Sequence, residues 1–79
     1  MNVQVMYFGM LSETTGLQSE SWTLNEQVTV GTFREKVEEK YPLLKGKKFK
    51  IAVNKQIATD SVLIGRLSEL ALLPPFAGG

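Results

Sequence analysis

Between Thr29 and Pro42 the chain carries its one convincing amphipathic helix, and this helix sets what the rest can fold into. Val30, Phe33, Val37 and Tyr41 recur at spacings of three and four and form one apolar stripe. Arg34, Glu35, Glu38, Glu39 and Lys40 take the wet side. A Thr29 hydroxyl can cap the free N–H groups of the first turn. Pro42 ends the helix, because it offers no N–H and disfavours helical geometry at Tyr41. A single apolar stripe needs a complementary layer, and the flanking segments must supply it.

Those segments alternate at the two-residue period of strands. Val3 to Met10 reads as a strand, with Val3, Val5 and Tyr7 on one face and Met6, Phe8 and Met10 on the other. Apolar groups on both faces suit a central position. Leu11 to Thr15 can make a helical turn that Gly16 ends. Glu20, Trp22 and Leu24 alternate with Ser21 and Thr23, giving an antiparallel neighbour. Phe49, Ile51 and Val53 mark a third strand, Asn54-Lys55 a turn, and Gln56 to Ala58 a short return. Glu69 to Leu73 is the fifth, stopped by Pro74-Pro75. The expected fold is α+β: a β-grasp domain over residues 1–73, with a mixed sheet of four to five strands, the main helix across it, and the last strand beside the first. Trp22 reads as core or partner interface rather than a platform for bases.

Composition excludes most self-contained chemistry. The 79 residues suit one domain. With no Cys and no His, the chain can build neither a disulfide nor a Ser-His or Cys-His nucleophile pair. Its eight acids show no spacing that suggests a metal site or a catalytic pair. A net charge of +1 gives no field that argues for nucleic acid, and Lys45, Lys47, Lys48 and Lys50 read as a solvated turn. The apolar start lacks a basic leader and is too short to span a membrane, so the expected address is the cytoplasm. Such a chain takes part in chemistry as a substrate, a carrier or one subunit of something larger.

The tail, residues 74–79, is the most informative segment. Pro74 and Pro75 cannot extend a ladder and direct the chain away from the domain. Phe76 is followed by Ala77-Gly78-Gly79, almost without side chains and slim enough to thread a narrow channel. Fully extended, six residues span on the order of 20 Å, enough to enter a partner's active site. Gly-Gly alone is common in tails without function. Strand, Pro-Pro, small residues and terminal Gly-Gly together point to delivery.

In these residues the chain resembles the small subunit of molybdopterin synthase, a family of ubiquitin-like sulfur carriers. The likeness covers essentially the whole chain. Val5-Met6-Tyr7-Phe8-Gly9, followed by Leu11, Glu13 and Gly16, is similar to the family's opening strand and turn. Ile51-Ala52-Val53-Asn54 is similar to its central strand and turn, and Glu69 to Pro75 with Gly78-Gly79 to its closing signature. The chain departs from the family pattern at Ser12, Leu67-Ser68 and Phe76. The resemblance implies that Gly79 is the working group. An activating enzyme uses ATP to join its carboxylate to AMP, and a sulfur donor displaces AMP to leave a thiocarboxylate. The large subunit, in a heterotetramer, then accepts residues 74–78 as the inserted tail and uses the sulfur for the molybdopterin dithiolene. The chain is thus an enzyme only as this sulfur-donating subunit, and it binds no cofactor or metal of its own.

Strand parity adds a partner surface. If Val3, Val5 and Tyr7 face the helix, Phe8 and Leu73 face away from it, and Ile57 can join them in an apolar docking patch beside the tail. A covering loop at Leu43-Leu44 is the competing expectation. Other readings of the whole chain are a carrier for thiamine or thiolated tRNA, a ubiquitin-like modifier joined to lysines through Gly79, and a ubiquitin-like binding module. Pro74-Pro75 favours molybdopterin.

Overall fold

A computed structural model describes residues 1–66 and 68–75; the expectations that rest on Leu67 and on Phe76 to Gly79 lie outside the described residues. In chain order the elements are β1 (Asn2–Tyr7), α1 (Met10–Thr15), β2 (Ser19–Thr23) and α2 (Val30–Lys40), then a 3-10 turn (Pro42–Leu44), β3 (Lys50–Val53), β4 (Gln56–Ile57) and β5 (Glu69–Leu73). The strands form one sheet in the order β2-β1-β5-β3-β4. β1 and β5 are parallel, and the other pairings are antiparallel. One helix laid over a mixed sheet with the first and last strands side by side is the β-grasp arrangement.

α2 forms where its caps demand. Thr29 Oγ1 accepts the Thr32 N–H at 3.2 Å. The Val30 and Gly31 N–H groups donate to the carbonyls of Val62 and Asp60, at 2.8 and 2.9 Å. The loop after β4 therefore satisfies donors that every helix start leaves free. Arg34 ties the same loop down through a 3.5 Å ion pair with Asp60, and it donates to the Phe49 carbonyl at 2.7 Å. The inner face follows the expected parity: Val3, Val5, Tyr7, Leu70, Leu72 and Ile51 are buried against Val30, Phe33 and Val37 of α2. Trp22 packs its ring edge-on to Phe33, with centroids 5.2 Å apart, so it belongs to the margin of this core.

The first strand is shorter than its alternation suggests. It ends at Tyr7, and Met10 already begins α1. Gly9 is the cause: its φ of 57° and ψ of −131° turn the chain out of the ladder. The Leu11 and Ser12 N–H groups then bond back to Phe8 and Gly9. Gly16 ends α1 in the left-handed conformation, as the sequence leads one to expect. The return strand likewise stops one residue early, at Ile57.

At the end of β1 the inner face carries one polar cluster. Glu20 Oε1 accepts from Tyr7 Oη at 2.7 Å, Tyr41 Oη at 2.9 Å and Trp22 Nε1 at 3.1 Å, and Lys40 Nζ donates to Oε2 at 2.6 Å. Burial alone would raise the Glu20 carboxyl. The hydrogen bonds from Lys40, Tyr7 and Tyr41, with the Lys40 charge, outweigh burial and hold it below its ordinary value. Burial, assisted by Glu20, raises the Tyr7 hydroxyl in turn. This cluster fastens the last turn of α2 to β1 and β2.

Candidate functional site

The site is built where β5 leaves the sheet. β5 runs beside β1 with Tyr7 opposite Leu72, and the Phe8 N–H continues the ladder by donating to the Leu72 carbonyl at 3.1 Å. Pro74 follows immediately and has no N–H to give. It is half-buried, because it lies over Gly9: a Cβ placed on Gly9 would stand 3.1 Å from Pro74 Cγ. Pro75 is exposed. The chain thus leaves the sheet at a point set by Leu72, Phe8 and Gly9. Gly79, and the tail residues Phe76, Ala77 and Gly78, lie outside the described residues.

The sheet face opposite α2 has two rows beside this exit. Met6, Ala71, Ala52 and Ile57 are register partners across four strands and form one row. Phe8 and Leu73 come next by alternation, with Lys50 directly opposite Leu73. Phe8 is 42% exposed and Ile57 59%, while Met6, Ala71 and Leu73 are half-buried. Phe8, one residue past β1, and Leu73, at the end of β5, are therefore brought to the same end of the sheet. Ile57 shares their face but stands in the other row, at the β4 margin. Leu43-Leu44 does not cover this face: Leu44 is buried in the inner core cluster and Leu43 is 74% exposed.

The sequence placed Lys50 in a solvated turn, whereas it opens β3 beside Leu73; it gave Gly9 only as part of an opening motif, and the small pair Ala52–Ala71 was not singled out. Gly9 had a signal, since an isolated glycine within a strand pattern marks a bulge or a close backbone approach. Ala52–Ala71 and Lys50–Leu73 depend on register, which spacing alone does not set. Among the described residues no group of three or more His, Cys, Asp or Glu is placed to hold a metal ion. No helix among them is long and apolar enough to cross a membrane.

A match to the ThiS family runs over residues 5–79 and takes in both the sheet face and the tail. The chain belongs to the ThiS family. Within it, the molybdopterin synthase sulfur carrier subunit of Mycobacterium tuberculosis is 32% identical over 80 aligned positions, covering 98% of this chain and 96% of that protein. A molybdopterin converting factor subunit 1 from Pyrococcus furiosus has the same fold, with a TM-score of 0.89 at 20% identity over 96% of this chain and 99% of its own. A chain from the complex of subunits 1 and 2 of the Helicobacter pylori molybdopterin-converting factor superposes at a TM-score of 0.69, is 25% identical and is covered in full, as is this chain. As a ThiS-family member the chain keeps the fold of its relatives through Pro75, and the family match continues to Gly79.

Proposed function

We propose that this chain is the sulfur carrier subunit of molybdopterin synthase, with the Gly79 carboxylate as its working group. The observation that carries the reading is its end-to-end correspondence with the M. tuberculosis sulfur carrier subunit. Pro74, turned out of the sheet over Gly9, supports a tail aimed at a partner. Carriers for thiamine or thiolated tRNA share the Gly-Gly end, but Pro74-Pro75 and this relative favour molybdopterin.

A carboxylate is a poor electrophile, so it must first be activated. A Gly79 oxygen attacks the α-phosphorus of ATP on the activating enzyme, pyrophosphate leaves, and an acyl adenylate forms. Sulfur supplied by the donor at the sulfide level, as HS⁻, attacks the acyl carbon; a C–S bond forms, the acyl C–O bond breaks, AMP departs with the bridging oxygen, and a thiocarboxylate remains. The large subunit then receives Pro74 to Gly79, with Phe8, Leu73 and Ile57 against its surface, and takes the sulfur for the dithiolene. ATP is bound by the activating enzyme and not by this chain, and the reaction belongs to the cytoplasm. The test is the intact mass of the chain purified from its native host. Sulfur in place of one oxygen at Gly79 supports the carrier reading, whereas a protein joined to Gly79 through a lysine would make it a modifier.

A further inference from the structure

On one side the sheet ends at β2, and that edge is open. Met1 and Leu24 exchange both backbone bonds: the Met1 amine donates to the Leu24 carbonyl at 2.6 Å, and the Leu24 N–H to the Met1 carbonyl at 2.7 Å. At the other end of the pairing the Tyr7 N–H donates to the Gln18 carbonyl at 2.9 Å. Bonded and non-bonded pairs alternate along an antiparallel ladder, so Trp22 and Glu20 bond to β1 while Ser19, Ser21 and Thr23 do not. The backbone N–H and C=O groups of those three residues point out of the sheet. All three are exposed, and among the described residues no other backbone group takes them up. Natural edges are shielded by lysine, proline or a bulge, and Ser19 to Thr23 has none of these. Its one charge, Glu20, is turned toward α2 and held there by Tyr7, Tyr41 and Lys40.

We propose that β2 is a self-association edge: two copies of this chain pair β2 against β2, antiparallel, about a two-fold axis at Ser21. A two-fold contact uses the same surface twice, and this edge complements itself. Ser21 exchanges both bonds with its own copy, and Ser19 exchanges both with Thr23 of the second copy, so every outward group of the strand is used. The same register suits the side chains. Ser and Thr hydroxyls face one another on the outer side, a favourable cross-strand pairing. On the side of α2, each Glu20 comes opposite the second copy's Trp22, over whose ring Lys40 Nζ lies at 4.8 Å, so unlike charges meet. A groove lined by Trp22 of β2 and by Lys36, Glu39 and Lys40 of α2 runs beside the edge there and gives these side chains room. The neighbouring registers are poorer. An axis at Glu20 sets two carboxylates opposite each other, and an axis at Trp22 leaves Ser19 beyond the end of the partner strand. β1 lies between β2 and β5, so the pairing leaves Phe8, Leu73 and the tail exit open. It goes beyond the function proposed above and does not rest on it.

The test is sedimentation velocity on the full chain from about 10 μM to about 1 mM, because an interface of one strand pair is small and weak. The wild type should pass from monomer to dimer over this range. Its backbone amide NMR signals should shift with concentration at Ser19, Ser21 and Thr23, and not at Ile57 on the opposite edge. Ser21→Pro removes an outward N–H that β1 does not use, so it should abolish the dimer and keep the fold. Ser21→Lys changes an exposed side chain on the outer face and sets two like charges across the axis, so it should weaken association about 5-fold. It carries the test if Ser21→Pro does not fold. A dimer that Ser21→Lys leaves intact, or that Phe8→Asp abolishes instead, would overturn the proposal. A wild type that stays monomeric across the whole range would overturn it too, and would leave the edge to a strand of another protein.

Discussion

Pro74 rests on Gly9 closely enough that a Cβ on Gly9 would stand 3.1 Å from its Cγ. Gly9 also has a φ of 57° and a ψ of −131°, a region that L side chains rarely enter. Two constraints therefore meet at one residue, and both bear on the direction in which the tail departs. Gly9→Ala should destabilise the fold by about 1–3 kcal/mol in denaturant melts. Pro74→Ala removes Cγ and Cδ, so it should relieve the steric part. The double variant should then lose less than the sum of the two singles. Strict additivity would mean that Gly9 matters only for its own backbone.

Phe8 and Leu73 lie at the same end of the sheet face that α2 leaves open. Phe8→Asp or Leu73→Asp should weaken binding of the large subunit by about 2 kcal/mol or more, since each places a charge in a desolvated contact. Ile57→Asp should cost less, because Ile57 stands at the margin of the patch. Circular dichroism should show all three folded. Calorimetric titration with unchanged affinity would mean that this face does not dock.

The Glu20 cluster makes stability depend on pH in a stated direction. Its carboxyl is held below the ordinary value of 4.5, so the folded state gains from ionised Glu20 above that value. The gain is lost as pH falls below 4.5 and through the lower folded value. Glu20→Gln should cost about 1.5–3 kcal/mol at neutral pH, the range for hydrogen bonds to a charged group. It should also flatten the acid limb of a stability-against-pH curve. A variant that keeps the wild-type acid limb would place the pH dependence elsewhere.

Local chemistry was legible in the sequence, as were the pairing of β1 with β2 and the placing of the last strand beside the first, whereas strand register and long-range side-chain clusters were not. Thr29 and Pro42 announce the limits of α2 because caps and breakers act on their own neighbours. Alternation placed Val5 and Tyr7 inside, and Phe8 and Leu73 outside, because strand parity is independent of what the strand pairs with. Asn54-Lys55 made the expected turn, with φ of 49° and 73°. Glu20, by contrast, gives no hint of its cluster: Tyr7, Lys40 and Tyr41 are 13 to 21 residues away in sequence. The loop after β4 gave no periodic signal either, yet its Asp60 and Val62 carbonyls cap α2, and Ile64 is buried. Alternation also carried β1 past Gly9, because a pattern of apolar residues does not register a change in φ.

The central claim is that sulfur is delivered from Gly79. Removing Gly79 should change stability by less than about 0.5 kcal/mol, since a terminal glycine has no side chain to lose. It retracts the carboxylate by about 3.5 Å. Misplacement of about 1 Å can already cost on the order of 100-fold in rate. Gly78→Val should impair delivery too, by widening the tail while leaving the carboxylate in place. The most direct measurement follows thiocarboxylate formation with the activating enzyme, ATP and a sulfur donor, then molybdopterin production with the large subunit. The account predicts that the Gly79 deletion folds as wild type and yields neither product. A deletion variant that delivers sulfur at the wild-type rate would contradict it.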